Sequence, residues 1–377
     1  MQNLVKVLIP RQLMLLMILS TGLLNHVILI PNLLTAAGRD SWLSVIAAYP
    51  ISVILICLIY YILKNSTDDG FFPMLRKRLG KMMSILLSIP VIVFLLTSTY
   101  ITFRDLVIWL NAFFLADSSV LLINIMLIIV CFIMTQAGVK YMAISSGVLL
   151  PFVMLFGVFI SITNTRLKEP GLLFPVLADG FEPIMIGIVY TLSGLLEVYI
   201  ILLLQPYSQK SFKLKHLIFL LTLLTGLTLG PLTAAIMEFG PEEATRFLYP
   251  AHEQWRVLSI GEYISHLDFL ALFQWLSGAL IRIGLFMYLA GTFFSAKKKH
   301  YRLNPKLVII LYLILVGLIS IKIETYTFYQ FIYKYYLPVS MVFFLSYILL
   351  SALIVLVLKK RDEKHGKNKT SKVQSSP

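Results

Sequence analysis

Long apolar runs separated by short polar segments make up most of this chain. A bilayer core of about 30 Å needs roughly 20 apolar residues of helix, and ten runs meet that length. They cover 12–34, 41–63, 82–103, 120–136, 141–163, 184–205, 217–237, 260–294, 307–323 and 337–358. The run at 260–294 is too long for one upright crossing and predicts a tilted helix that extends beyond the bilayer. The first run follows Lys6 and Arg11, yet it is longer than the apolar core of a secretion signal, and Thr35-Ala36-Ala37-Gly38 is a poor cleavage site. The expected fold class is all-α and integral to the membrane, with ten transmembrane helices in a domain at 1–358.

Lysine and arginine placement sets the orientation. With the N-terminus inside, 23 of the 32 basic residues fall in inside segments, so both termini are expected to be cytoplasmic. The net charge of +14 then reads as topology and as a match to the anionic lipid bilayer, not as a nucleic-acid footprint. The basic tail at 359–377 is expected to be disordered. A composition of 59% hydrophobic and 13% charged residues excludes a soluble enzyme, which could not hide so much apolar side chain. Cys57 and Cys131 lie inside apolar runs and offer neither a disulfide framework nor metal spacing. No phosphate loop, His-Glu-x-x-His or Gly-x-Ser-x-Gly is present, so neither catalysis nor a cofactor or metal is expected. Asn65-Ser66-Thr67 and Asn368-Lys369-Thr370 match a glycosylation pattern but face inside. Among the outside loops, the apolar stretch 171–177 is expected to dip back toward the membrane. The seven aromatics of 326–336 read as an interfacial belt.

Two spans carry matching interruptions. Span one contains Ser20-Thr21-Gly22 and span six contains Ser193-Gly194, each about ten residues in. Glycine weakens a helix interior by about 1 kcal/mol relative to alanine, and serine and threonine draw the backbone into local bonds. Five spans separate the two starts, so these helices run in opposite directions. Two inverted five-helix halves, about 12–163 and 184–323 plus 337–358, would produce that pattern. Breaks of this kind leave backbone groups free to hold a polar ligand near the midplane. Ordinary small-residue packing is the alternative.

Ionisable groups inside the spans add candidates, since each costs about 2.5–3.5 kcal/mol to insert. Glu197 lies three residues after Gly194 and reads as ligand, gate or buried hydrogen-bond acceptor. Arg104 and Asp105 lie at the outer end of span three, and Glu262, His266, Asp268 and Arg282 on span eight. Asp268 and Arg282, fourteen residues and about 21 Å apart, cannot pair with each other. Arg282 is expected to snorkel to the inner face.

Several stretches resemble the spore germination permeases, the B-type subunits of nutrient germinant receptors. They are Ile9-Pro10-Arg11-Gln12-Leu13, Gly38-Arg39-Asp40-Ser41-Trp42, Phe174-Pro175-Val176-Leu177-Ala178-Asp179-Gly180, Glu197 with Gln205-Pro206-Tyr207, and Ile260-Gly261-Glu262-Tyr263-Ile264-Ser265-His266-Leu267-Asp268 with Trp275. The likeness spans residues 9 to 358. It implies a relation to the amino acid–polyamine–organocation transporters and their leucine-transporter-like 5+5 inverted repeat. Two positions depart from that family. Ser20-Thr21-Gly22 stands where relatives often carry Gly-x-Gly, and His266 stands where they tend to carry arginine.

The resemblance implies a ligand sensor in the inner membrane of a bacterial spore. A small nutrient germinant, an amino acid or similar, is expected between spans one, three, six and eight. Ser20, Thr21, Gly22, Ser193, Gly194 and Glu197 are the expected lining, with Arg104, Asp105, Glu262, His266 and Asp268 as gate or support. The implied partners are an A-type membrane subunit and a C-type lipoprotein. The competing readings are an amino acid or ion symporter with real turnover, and a purely structural subunit of the complex.

Overall fold

The computed structural model describes residues 6–67, 69–259, 267–295 and 302–374. The expectations placed on Glu262 and His266 lie outside these residues. The described chain is helical: α1 Pro10–Leu23, α2 Leu29–Ala37, α3 Ser41–Asn65, α4 Phe71–Leu79, α5 Lys81–Phe113, α6 Val120–Ala137, α7 Val139–Thr163 and α8 Glu182–Leu195. There follow α9 Ile201–Leu204, α10 Leu214–Phe239, α11 Pro241–Arg246, α12 Pro250–Arg256, α13 Phe269–Phe294, α14 Pro305–Ile319, α15 Thr325–Phe331 and α16 Leu337–Gln374.

Eight helical stretches among the described residues are long and apolar enough to cross a membrane, which makes this an integral membrane protein. The first, Pro10–Asn65, holds α1 to α3 and is broken at Gly38, whose φ of +51° suits a residue without a Cβ. Pro305–Ile319 is apolar too, though only 15 residues long. Gly138, at φ +83°, makes the sharp turn between α6 and α7.

Lipid tails are as apolar as leucine, so burying apolar area cannot drive these helices together; close packing and interhelical hydrogen bonds must. The contacts fit that demand. A Cβ at Gly187 of α8 would lie 2.2 Å from Ser44 Oγ of α3, and one at Gly278 of α13 would lie 3.1 Å from Leu23 of α1. The centre of the bundle is α13, buried on every face from Ile281 through Gly291 and packed on α1, α5, α6 and α7. By contrast α6 turns Leu121, Met126, Ile129 and Ile133 outward, the surface a lipid-facing helix needs.

Three expectations shift. The long eighth run is helical from Phe269, with Asp268 at its N-cap. The helix expected to end at Leu358 continues through Gln374, and Arg78 of α4 clasps its Asp362 at 2.8 and 3.0 Å. The apolar stretch 171–177 lies against the outer ends of helices: Glu169 N–H donates to Met237 C=O (2.9 Å) and Leu177 N–H to Asp40 Oδ2 (2.8 Å).

Candidate functional site

Spans one and six are both irregular, though not where their glycines sit. Ser20, Thr21 and Gly22 form the last full turn of α1, and the chain then widens into a π-helical turn at Leu24–Ile28. The cause is Asn25. Its Nδ2 donates to Thr21 C=O (3.0 Å), the carbonyl that also receives Leu24 N–H, so the regular ladder is displaced. Gly194 likewise belongs to α8, and the tightening into a 3-10 turn comes at Leu196–Ile200. Ser193 Oγ donates to Tyr190 C=O (2.6 Å), within its own helix. The π turn packs against the end of α8: a Cβ on Gly194 would lie 2.4 Å from Asn25 Oδ1. Gly194 is therefore a packing glycine. The expectation that both spans unwind at Gly22 and Gly194 to bare their backbone is corrected. A pair of hydrogen-bonded distortions replaces it, driven by a polar side chain and not by missing ones.

Between these turns sits a buried ion pair. Glu197, on the 3-10 turn, is fully buried, and so is Arg282, at the middle of α13. Arg282 Nη1 and Nη2 donate to the two carboxylate oxygens of Glu197 at 2.5 and 2.7 Å, the bidentate geometry that a planar guanidinium favours. Nη2 also donates to Ser98 Oγ (2.6 Å), Nε to Thr102 Oγ1 (3.0 Å) and Nη1 to Ser20 C=O (3.3 Å). All five guanidinium N–H groups are thus accounted for. Thr21 Oγ1 donates to Glu197 Oε1 (2.9 Å), Tyr336 OH to Ser98 Oγ (2.9 Å), and the guanidinium lies 4.4 Å from the Phe286 ring centre. The network joins α1, α5, the turn after α8, α13 and the π turn before α16. Snorkelling of Arg282 is thereby overturned: a carboxylate stands within reach at the same depth, so the charge is matched without leaving the core.

Among the described gate candidates, Arg104 and Asp105 bond elsewhere. Arg104 donates to Tyr100 OH (3.4 Å) and to the carbonyls of Ile321 and Ile323, and it lies 5.2 Å from the Phe328 ring centre. It pins the segment between α14 and α15 and does not meet Asp268. Asp105 is buried and accepts from Tyr329 OH (2.8 Å) and Tyr249 OH (3.3 Å), the two hydroxyls being 2.5 Å apart. That latch ties α5 to the outside segment before α12 and to α15. Nearby, His252 of α12 is enclosed by Trp109, Phe113, Phe114 and Trp275, and neither ring nitrogen has a hydrogen-bond partner among the described residues. Burial pushes its pKa down to about 4, against an opposing pull from Asp268.

A cavity of about 280 Å³ lies on another face of α1. Leu19, Gly22, Leu23 and His26 form its floor, Val153 and Gly157 of α7 one wall, and Gly226 and Gly230 of α10 the other. Gln254, Trp255, Gln274 and Trp275 close the remaining side. Among the described residues, no charged side chain lines it. Of the six residues expected to line a ligand, Gly22 borders this cavity, and Ser20, Thr21 and Glu197 belong to the buried network. Gln254 Nε2 donates to Pro231 C=O (2.8 Å) and Gln274 Nε2 to Val153 C=O (2.9 Å), which fixes both amides and leaves their carbonyl oxygens as acceptors.

Sequence reasoning missed Asn25, Ser98, Thr102 and Tyr336, and it misplaced Arg282. The pairing of Arg282 with Glu197 was signalled by two opposite charges at mid-span on different helices, each needing a partner. Ser98 and Thr102 were signalled by an i,i+4 hydroxyl pair on span three.

Comparison with known proteins fixes the lineage. A family model described as "Spore germination protein" matches residues 8–327. The chain belongs to the spore germination permease family. It is 36% identical to "Spore germination protein XB" of Bacillus anthracis over 352 residues, 93% of this chain and 98% of that protein. It is 24% identical to "Spore germination protein KB" of Bacillus subtilis (strain 168) over 279 residues, 70% of this chain and 73% of that protein. This germination permease thus carries a paired charge at the core of its bundle and, beside it, a cavity whose described lining is uncharged.

Proposed function

We propose that this permease is the nutrient-sensing membrane subunit of a spore germinant receptor. It would sit in the spore inner membrane with an A-type membrane subunit and a C-type lipoprotein. The reading includes ten crossings in two inverted halves and both termini in the cytoplasm. The observation that carries it is the Arg282–Glu197 pair: the space between spans one, three, six and eight, through which a transported solute would pass, is filled by the chain's own bonded groups. A sensor needs a bistable centre, whereas a symporter needs that centre vacant.

On this reading the germinant binds in the 280 Å³ cavity beside α1. That volume is near the lower end of the ~300–1,000 Å³ typical of small-molecule pockets, so it suits a compact solute. With no countercharge among the described lining residues, a free carboxylate would be desolvated there without compensation. The fixed glutamine oxygens and the tryptophan faces favour an uncharged solute with hydrogen-bond donors and an apolar or planar body.

A Cβ at Gly226 or Gly230 meets nothing within 4 Å, so a larger side chain there occupies the cavity without disturbing the packed helices. Spores carrying Gly230→Phe at unchanged protein level should lose the nutrient response while still germinating by a receptor-independent trigger. A normal response would remove the cavity as the site. Uptake of labelled nutrient by proteoliposomes of the subunit alone would overturn the sensor reading in favour of a symporter.

A further inference from the structure

A larger cleft lies elsewhere, at the inner end of the bundle. It measures about 760 Å³ and lies between α4, the start of α5, the end of span six and the end of α13. Its rim carries Lys6, Arg76 and Lys81. Asp69, on the same rim, is engaged by Lys77 at 2.8 Å, whereas neither Arg76 nor Lys81 forms an ion pair among the described residues. The cleft continues from this basic rim along α5, past Ile85, Ile89 and Val93. These three are spaced on one helical face and are 49%, 51% and 56% exposed. From Lys81 to Val93 the helix rises about 18 Å, enough to cover the ~15 Å depth of one hydrocarbon leaflet.

A cationic mouth at the inner headgroup level, continuous with an apolar wall one leaflet deep, matches one molecule in both charge and shape. We infer that the cleft holds an anionic phospholipid, its phosphate at the Lys6–Arg76–Lys81 rim and an acyl chain along the α5 face. A soluble phosphate would use the rim but not the wall, and an acidic protein segment would leave the wall bare. The bound lipid would touch Leu202 and Leu203, just beyond Glu197 on span six, and Thr292 and Phe293, on the helix that carries Arg282. It would thus brace the inner ends of the two helices joined by the buried pair.

The test uses the full chain in vesicles of equimolar phosphatidylglycerol and phosphatidylcholine, with retained lipids counted by native mass spectrometry after release. The expected result is preferential retention of phosphatidylglycerol. Arg76→Gln with Lys81→Gln should cut that preference by about tenfold, while Arg76→Lys with Lys81→Arg keeps it. Lys210→Gln with Lys215→Gln removes the same charge from the inner surface away from the cleft and should leave the preference intact. Equal retention of the two lipids overturns the inference, as does equal loss in the Lys210/Lys215 variant, which would mean a diffuse basic surface. Displacement of the lipid by millimolar inorganic phosphate would make this a phosphate site. Displacement by a glutamate-rich peptide would make it a protein-docking site. Either result sinks the lipid assignment. Monodisperse size exclusion of each variant guards against misfolding, and the single substitutions repeat the reading if a double one fails.

Discussion

Removing Glu197 should harm this protein more than removing Arg282, and removing both should harm it least. In the fold Arg282 makes five hydrogen bonds, two of them to the Glu197 carboxylate. Interhelical hydrogen bonds inside membranes average about 0.6 kcal/mol, which puts the set at about 3 kcal/mol. Breaking a buried ion pair from one side costs about 3–5 kcal/mol in soluble proteins, so the two routes meet at the low end. The asymmetry comes from proton chemistry. Arg282→Met leaves a carboxylate that can take up a proton, whereas Glu197→Leu leaves a guanidinium that stays charged. Glu197→Leu with Arg282→Met removes both charges and refills the space with apolar atoms, an exchange that is often neutral. The assay is thermal unfolding of purified full-length protein in one detergent, with the four forms arranged as a double-mutant cycle. Because the double variant is harmed least, the coupling must exceed the larger single loss, so about 3 kcal/mol or more is expected, with Glu197→Leu the least stable form. Additive losses, or a double variant weaker than either single, would refute the claim that these two side chains hold the bundle centre together.

Other consequences can be measured in the same preparation. Gly194→Ala drives a methyl toward Asn25 Oδ1 and should cost about 1–3 kcal/mol in thermal stability, while Gly226→Ala, with open space at its Cβ, should be neutral or stabilising by up to about 1 kcal/mol. His252 is neutral in the fold down to about pH 4 but has an ordinary value of 6.5 when exposed. The unfolded chain therefore binds the extra proton between those values, and stability falls as pH drops through that window. His252→Phe should flatten the melting profile between pH 6.5 and 4, and an unchanged slope would show that other groups set it. Tyr329→Phe removes the shorter of two donors to buried Asp105 and should cost about 1–3 kcal/mol, read as a lower melting temperature.

The sequence made the helices legible because apolar length is a strong signal, and the positive charges that flank them are another. It also drew attention to the right neighbourhood: Ser20, Thr21 and Glu197 all belong to the buried network. What it misjudged was the role of glycine. Gly22 and Gly194 look like sites of unwinding in one dimension, but in three dimensions Gly194 makes room for Asn25, and Asn25 makes the irregular turn. A side chain that reaches across to another helix leaves no periodic trace, so Arg282 read as a snorkelling residue. The cavity was illegible for a related reason. It is the space left where α1, α7, α10 and α13 fail to meet, and its walls are leucines, valines and glycines of a kind found on every span.

The cavity and the ion pair share one element, and that sharing bounds what a solute bound in the cavity can do. Gly22 borders the cavity, and its neighbour Thr21 donates to Glu197. A solute that shifts α1 by even a fraction of an ångström alters a bond to the buried carboxylate. Its leverage is limited to the difference between its affinities for the two packings. Releasing a pair worth about 3 kcal/mol takes a preference of about 150-fold, and a complete switch from 1:99 to 99:1 takes about 10⁴-fold. A compact solute of millimolar affinity has only about 4 kcal/mol in total, so almost all of its binding energy must favour one packing. Such a device responds to chemistry more than to affinity. An analogue carrying one unmatched charge loses several kcal/mol on entering the uncharged cavity, which is more than the solute has to give. If the cavity is the germinant site, spores should therefore ignore a carboxylated analogue of an active nutrient even at a hundredfold higher concentration, and a response to it would require a countercharge that the described lining does not contain.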